Sequence, residues 1–180
     1  KRPMPIETRL TRRLNIQHPI ILAPMDPAAG GRLANAVTGA GGLGLIGGGY
    51  GDAERIEHEF REAGNARIGG GFITWSMAKA PHLLDLMLKH NPVAVCLSFG
   101  DPRPFAPLIK AAGALLICQI QSRQDCFEAL EAGADVVIAQ GAEAGGHGVR
   151  RATMCGTGSR PSARRRAAST TVSSGLVPGT

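Results

Sequence analysis

The chain has 180 residues, 43% of them apolar, which suits one domain with a real core. Its formal charge is +6, yet residues 150–180 hold six arginines and no acid, so 20 − 6 = 14 basic residues balance 14 acidic ones over residues 1–149. The basic excess therefore belongs to a tail and gives no ground for reading the body as a nucleic-acid or membrane binder.

Short apolar runs alternate with helical patterns along the first 149 residues. Strands are expected at 19–23, 43–46, 67–73, 93–98, 114–120 and 135–140, with starts 21 to 26 residues apart. That beat is the period of βα units in a parallel sheet. Between the second and third strands, Asp52 can cap a helix whose Ile56 and Phe60 share a face, and Gly64 ends it. After the third strand, Pro81 suits a first helical turn, and Leu83, Leu84, Met87 and Leu88 form a stripe stopped by Asn91-Pro92. Before the sixth strand, Ser122 with Asp125 makes a capping box and Gly133 closes the helix. The expected fold is α/β: an incomplete (β/α)8 TIM barrel with about six βα units, where a closed barrel has eight. Strands one and six are then open edges, through which self-association is expected.

Residues 150–180 lack any four-residue apolar run and are rich in Arg, Ser, Thr, Ala, Gly and Pro. That composition predicts a disordered basic tail without strands. The sharper reading is a truncated or out-of-frame end; the other is a natural basic arm. Arg164-Arg-Arg166 lacks the interleaved aromatics of a nucleic-acid surface, so no nucleic-acid partner is expected.

Four cysteines (Cys96, Cys118, Cys126, Cys155) form no CxxC and no His/Cys pair at zinc spacing, and no metal is expected. Cys96 and Cys118 fall inside strand patterns and read as buried free thiols. With no signal-peptide pattern and no run long enough to span a bilayer, a cytoplasmic protein is expected, away from membranes.

The polar residues and glycines gather at strand C-termini, where a parallel barrel places its site. Pro24, Met25 and Asp26 follow strand one, and Thr74 follows strand three. Ser98, Gly100 and Asp101 follow strand four, Gln119 and Gln121 flank the end of strand five, and Gln140 through His147 follow strand six. Gly42-Leu-Gly44-Leu-Ile-Gly47 formally matches a dinucleotide fingerprint. A helix precedes it and residues 43–46 are themselves the strand, so that reading fails. Asp101 before Pro102 reads at least as well as a turn residue, Glu143 as a loop-orienting residue, and His18, His58, His82 and His90 as surface histidines without a nameable partner.

Five segments together resemble the nitronate monooxygenase family, formerly the 2-nitropropane dioxygenases. They are Pro19-Ile-Ile-Leu-Ala-Pro24-Met25, Gly41-Gly-Leu-Gly44, Gly70-Gly-Phe-Ile-Thr-Trp75, Leu97-Ser-Phe-Gly-Asp101 and Gln140-Gly-Ala-Glu-Ala-Gly-Gly-His147-Gly. The resemblance covers residues 14–149 and implies an FMN-dependent barrel that oxidises alkyl nitronates or nitroalkanes with oxygen, giving a carbonyl compound and nitrite. It implies that Ala23, Pro24 and Met25 lie along the flavin ring, that the side chains of Gln119 and Gln140 contact it, and that Ala144, Gly145 and Gly146 let the backbone approach it. His147 takes the place of the catalytic histidine, suited to removing a proton from a nitroalkane carbon or to binding a nitronate. Gly71 stands where several relatives carry a flavin-facing asparagine. No counterpart of the family's phosphate site after strands seven and eight is present, so weak FMN retention is expected. The alternatives are an FMN-dependent enoyl-ACP reductase, which needs NAD(P)H, and an inactive fragment.

Overall fold

The structure is a computed structural model that describes residues 5–49, 52–141, 143–146, 148 and 171–173. Six strands lie in chain order in one sheet: β1 (Leu45–Gly47), β2 (Gly69–Ile73), β3 (Ala94–Ser98), β4 (Leu115–Ile120), β5 (Val136–Ala139) and β6 (Thr171–Ser173). The first five pair in parallel. Helices α1 (Arg9–Leu14) and α2 (Gly31–Gly39) precede β1, and α3 (Ala53–Ala63) joins β1 to β2. After β2 come α4 (Thr74–Met77) and α5 (His82–Lys89), then α6 (Ala106–Ala111) after β3 and α7 (Arg123–Glu131) after β4. This is the expected α/β architecture, five parallel strands with a helix after each of the first four.

The helix punctuation follows from local chemistry. The Asp52 carboxylate accepts the Arg55 N–H at 3.1 Å and starts α3. Ser122 and Asp125 cap α7 reciprocally: the Ser122 hydroxyl accepts the Asp125 N–H at 3.1 Å, and the Asp125 carboxylate accepts the Ser122 N–H at 2.9 Å. Each pairing satisfies donors that the first helical turn leaves orphaned.

Alternation along the strands divides the core in two. Ile46, Phe72, Val95, Leu97, Leu116 and Cys118 pack against the helices with Ile56, Leu83, Leu84, Met87 and Ile109. The opposite face carries Leu45, Ala94, Cys96, Ile117 and Val136, and α1 closes its lower end with Leu10 and Leu14. Burying each such Leu or Ile contributes about 1.5–3 kcal/mol. Gln119 and Gln140 continue the second face by strand parity, so the fold turns both toward the barrel interior at its upper end.

Three expectations need correction. The strand at 19–23 is reduced to an isolated parallel bridge, Ile21 with Leu43, although the Leu22 N–H donates to the Leu43 carbonyl and the Leu43 N–H to the Ile20 carbonyl, both at 2.9 Å. Pro19 and Pro24 bracket it, and a proline supplies no ladder donor. The tail is not wholly without strands: Thr171–Ser173 pairs antiparallel with β5, so the second edge expected to be open is covered over three residues. Thr171 and Val172 are β-branched, which suits an edge position. His90 has partners after all, with its ring stacked on Phe60 at a centroid distance of 4.4 Å and Nε2 3.1 Å from Glu57.

Candidate active site

The upper ends of the strands meet as their parity requires. Register pairs Ile73 with Ser98 and Ser98 with Gln119, which sets β2, β3 and β4 at one level. Gln140 follows β5 directly, its N–H donating to the Ile120 carbonyl at 2.9 Å. Its side-chain Oε1 accepts from Nε2 of Gln119 and from Nε2 of Gln121, each at 2.8 Å. One acceptor thus gathers two amides that share a face at i and i+2 on β4 and its extension. The sequence marks Gln121 only as a mouth residue; its period-two spacing from Gln119 is the signal that would join the two.

The turn at 23–25 reaches the same end. A Cβ on Gly71 would stand 2.5 Å from Pro24 Cγ and 3.1 Å from the Cys96 carbonyl, so the Pro24 ring occupies the space an asparagine side chain would need. Met25 is 46% exposed. A Cβ on Gly146 would lie 3.2 Å from Met25 Sδ, and one on Gly148 would lie 3.3 Å from Gln121 Nε2. Gly146 itself has φ +83°, a conformation that favours glycine. The loop after β5 therefore meets both the 23–25 turn and the glutamine cluster. Ala144 and Gly145 belong to that loop, in which the Ala144 N–H donates to the Gly141 carbonyl at 3.1 Å. Glu143 is exposed. His147 lies outside the described residues.

Beside the cluster is a cavity of about 440 Å³ between the ends of β2, β3 and β4 and helix α7. Its aromatic wall is Trp75 and Phe99. Phe99 has φ +60°, an uncommon conformation for a bulky residue and one associated with functional corners. Its carbonyl accepts the Trp75 N–H at 3.3 Å.

Charged groups around the mouth are mostly structural. Asp26 pairs with Arg55 at 2.6 Å. Asp101 is a turn residue, accepting the Arg103 N–H at 2.9 Å, and the Arg103 guanidinium hydrogen-bonded to it holds its carboxyl below the ordinary range. Burial pushes the Cys96 thiol up to about 12, and burial likewise lifts Cys118 to about 12, so both are neutral thiols and not nucleophiles. No disulfide joins Cys96, Cys118 and Cys126; Cys155 lies outside the described residues. Among the described residues no His/Cys/Asp/Glu cluster could hold a metal ion, and no helix is long and apolar enough to cross a membrane.

A parallel sheet with strand-end amides, a proline–glycine contact and a glycine loop at one mouth agrees with what sequence comparison finds. The model of the nitronate monooxygenase family matches residues 7–67 and 74–159. The chain belongs to that family. The match starts earlier and ends later than the stretch 14–149 that carries the motifs. The chain is 29% identical over 145 residues to a (3aS,4S,5R,7aS)-5-hydroxy-7a-methyl-1-oxo-octahydro-1H-indene-4-carboxyl-CoA dehydrogenase of Rhodococcus jostii, an alignment covering 79% of this chain and 41% of the relative. In fold it is similar to FabK from Thermotoga maritima, with TM-score 0.68, 31% identity, and 74% and 44% of the two chains covered. It is also similar to a nitroalkane oxidase from Streptomyces ansochromogenes, with TM-score 0.65, 27% identity, and 78% and 50% covered. The chain spans about half the length of these relatives or less.

The family and these neighbours support an oxidoreductase. The residues present fit the ring of a flavin. A planar heterocycle with a polar edge needs amide donors and acceptors on one side and small, flat neighbours on the other. Gln119, Gln121 and Gln140 supply the first, and Ala23, Pro24 and Gly71 the second.

Proposed function

We propose that this mouth binds the isoalloxazine ring of FMN and that the site oxidises alkyl nitronates or nitroalkanes to a carbonyl compound and nitrite, with oxygen as co-substrate. The observation that carries the reading is the glutamine cluster, in which Gln140 accepts from Gln119 and Gln121 beside the contact between Met25 and Gly146. In this reading Ala23, Pro24 and Met25 lie along the ring, Gln119 and Gln140 meet its polar edge, and Ala144, Gly145 and Gly146 form the close backbone wall. FMN, when bound, supplies the electron-accepting group.

His147 is assigned the proton chemistry. A neutral imidazole removes a proton from the carbon bearing the nitro group, which leaves the nitronate anion beside a cationic ring. A substrate supplied as nitronate needs no such removal, and the imidazolium form then holds its charge. His147→Asn should therefore abolish turnover of neutral nitroalkanes while turnover of preformed nitronates falls less. FMN uptake, read by the change in flavin absorbance on binding, should persist in the variant. Equal loss on both substrate forms would remove His147 from the base role.

A second reading, an FMN-dependent reductase of the enoyl-ACP type, is fitted by the likeness in fold to FabK. The FMN-loaded chain should bleach with propionate 3-nitronate and not with NADH. Bleaching by NADH alone selects the reductase.

A further inference from the structure

We infer that the 440 Å³ cavity beside the glutamine cluster receives the apolar body of the substrate, with Trp75 and Phe99 setting the length it accepts; this rests on the mouth being the flavin site. The cavity is of small-molecule size, within the roughly 300–1,000 Å³ of typical ligand pockets. A water molecule's share of liquid volume is about 30 Å³, so a nitro group on a one- or two-carbon stub leaves most of the space unfilled. Ile73, Leu97 and Ile120 add aliphatic surface to the lining beside the two aromatic residues.

The polar groups of the lining give the occupant a direction. Gln119 and Gln121 stand on the side of the Gln140 cluster. The Asp125 carboxylate, also in the lining, already accepts the Gln121 and Ser122 N–H groups at 2.9 Å each and serves the cap of α7. A ligand therefore keeps its polar head at the glutamines and its chain toward Trp75. The flavin-facing residues lie elsewhere: Pro24, Met25, Gln140 and Gly146 do not line the cavity, and Gln119 lines it while also belonging to the cluster. Leu97, Cys118 and Ala129 put the cavity on the helix side of the strand ends, and Gln119, which belongs to both, is the point where the head of a cavity ligand comes nearest the position assigned to the ring. The strained corner at Phe99, held by the N–H of Trp75, and Lys79 Nζ at 5.0 Å from the Trp75 ring centroid fix the two aromatics as a wall.

Trp75 is the one tryptophan in the sequence, so its fluorescence reports on this cavity. The full chain should be titrated with straight-chain primary nitroalkanes from nitroethane to nitrooctane, with and without saturating FMN. Dissociation constants should tighten about two- to fourfold per added methylene and then level off as the space fills. Ala129→Leu and Ile120→Phe each fill the cavity from a different wall and should erase at least tenfold of the gain for nitrooctane. FMN uptake, followed by absorbance, is scored separately, so a chain that fails to take up flavin but shows the length dependence sinks the flavin reading alone. A flat series, a gain that survives both substitutions, or displacement of nitrooctane by FMN overturns the inference.

Discussion

Replacing Gln140 by leucine tests the hub of the site. The substitution keeps most of the volume but removes an acceptor that two amide donors reach at 2.8 Å. Each such bond has a net value of about 0.5–1.5 kcal/mol, and a donor left buried without a partner costs about 1–3 kcal/mol. All three glutamines are half-buried, so water can replace part of what is lost, and about 1–2 kcal/mol is expected in total. For a domain of this size that lowers the melting temperature by roughly 2–8 °C. Gln140→Glu tests the acceptor by itself, because a carboxylate still accepts from both amides while the NH2 group is lost. The glutamate variant should melt close to the parent while both variants take up FMN more weakly. Thermal melts followed by circular dichroism, paired with flavin absorbance titrations, give the two readouts. If the leucine variant melts with the parent, or the glutamate variant falls as far as leucine, Gln140 is not the acceptor that organises the mouth.

Gly71→Ala forces a methyl against Pro24 and the Cys96 carbonyl, and such overpacking should cost about 1–3 kcal/mol in urea denaturation and loosen the 23–25 turn. Asp125 is held below the ordinary carboxylate range: burial, the largest influence, pulls upward, but the Gln121 and Ser122 N–H groups and the Ser122 hydroxyl outweigh it. A depressed folded-state value means stabilisation present above the unfolded value near 3.9 and lost as pH falls through the folded one. The stabilities of the parent and Asp125→Asn should therefore differ at pH 7 by about 1 kcal/mol, roughly 2–4 °C in melting temperature, and converge in acid; parallel curves would show that the carboxylate charge is irrelevant. In a Cys155→Ser background at pH 8, a thiol reagent should modify Cys126 quickly and Cys96 and Cys118 only on unfolding, since both buried thiols titrate near 12.

Period and punctuation were legible because they are local. Ser122 and Asp125, or Asp52, meet their partners within one helical turn, so spacing in the chain is spacing in space. The burial of Cys96 and Cys118 followed equally directly from the apolar runs around them. What the sequence withheld is relational. Residues 19–23 carry the apolar run of a full strand, yet only one bridge forms, because pairing depends on a neighbour that the run itself does not describe. Thr171–Ser173 shows the reverse case, a Thr-Val-Ser triplet without an apolar run that pairs with an available edge on β5. The site divides along the same line. Strand-end positions named Gln119 and Gln140 as mouth residues, but that Gln140 is the acceptor, and that Gln121 joins it, depends on side chains folding across two strands.

The relatives similar to this chain carry three different names, which separates what the fold decides from what it leaves open. The level of the strand ends and the meeting of the glutamines follow from register and parity, and on the proposed reading they present a flat polar ligand at the mouth. Choice among substrates must then lie in parts that register does not dictate. On the proposed reading these parts include Trp75 at the start of α4 and the Phe99 corner after β3. Phe99 is the sharpest of them, since a bulky residue with φ +60° has a conformational cost that packing or binding must offset. Phe99→Gly relieves that cost and removes the aromatic wall at once, so it should raise or preserve thermal stability while weakening long-chain nitroalkane binding more than short-chain binding. A variant that loses stability and binds every chain length equally well would mean that the corner serves the packing of the fold and not the selection of its ligand.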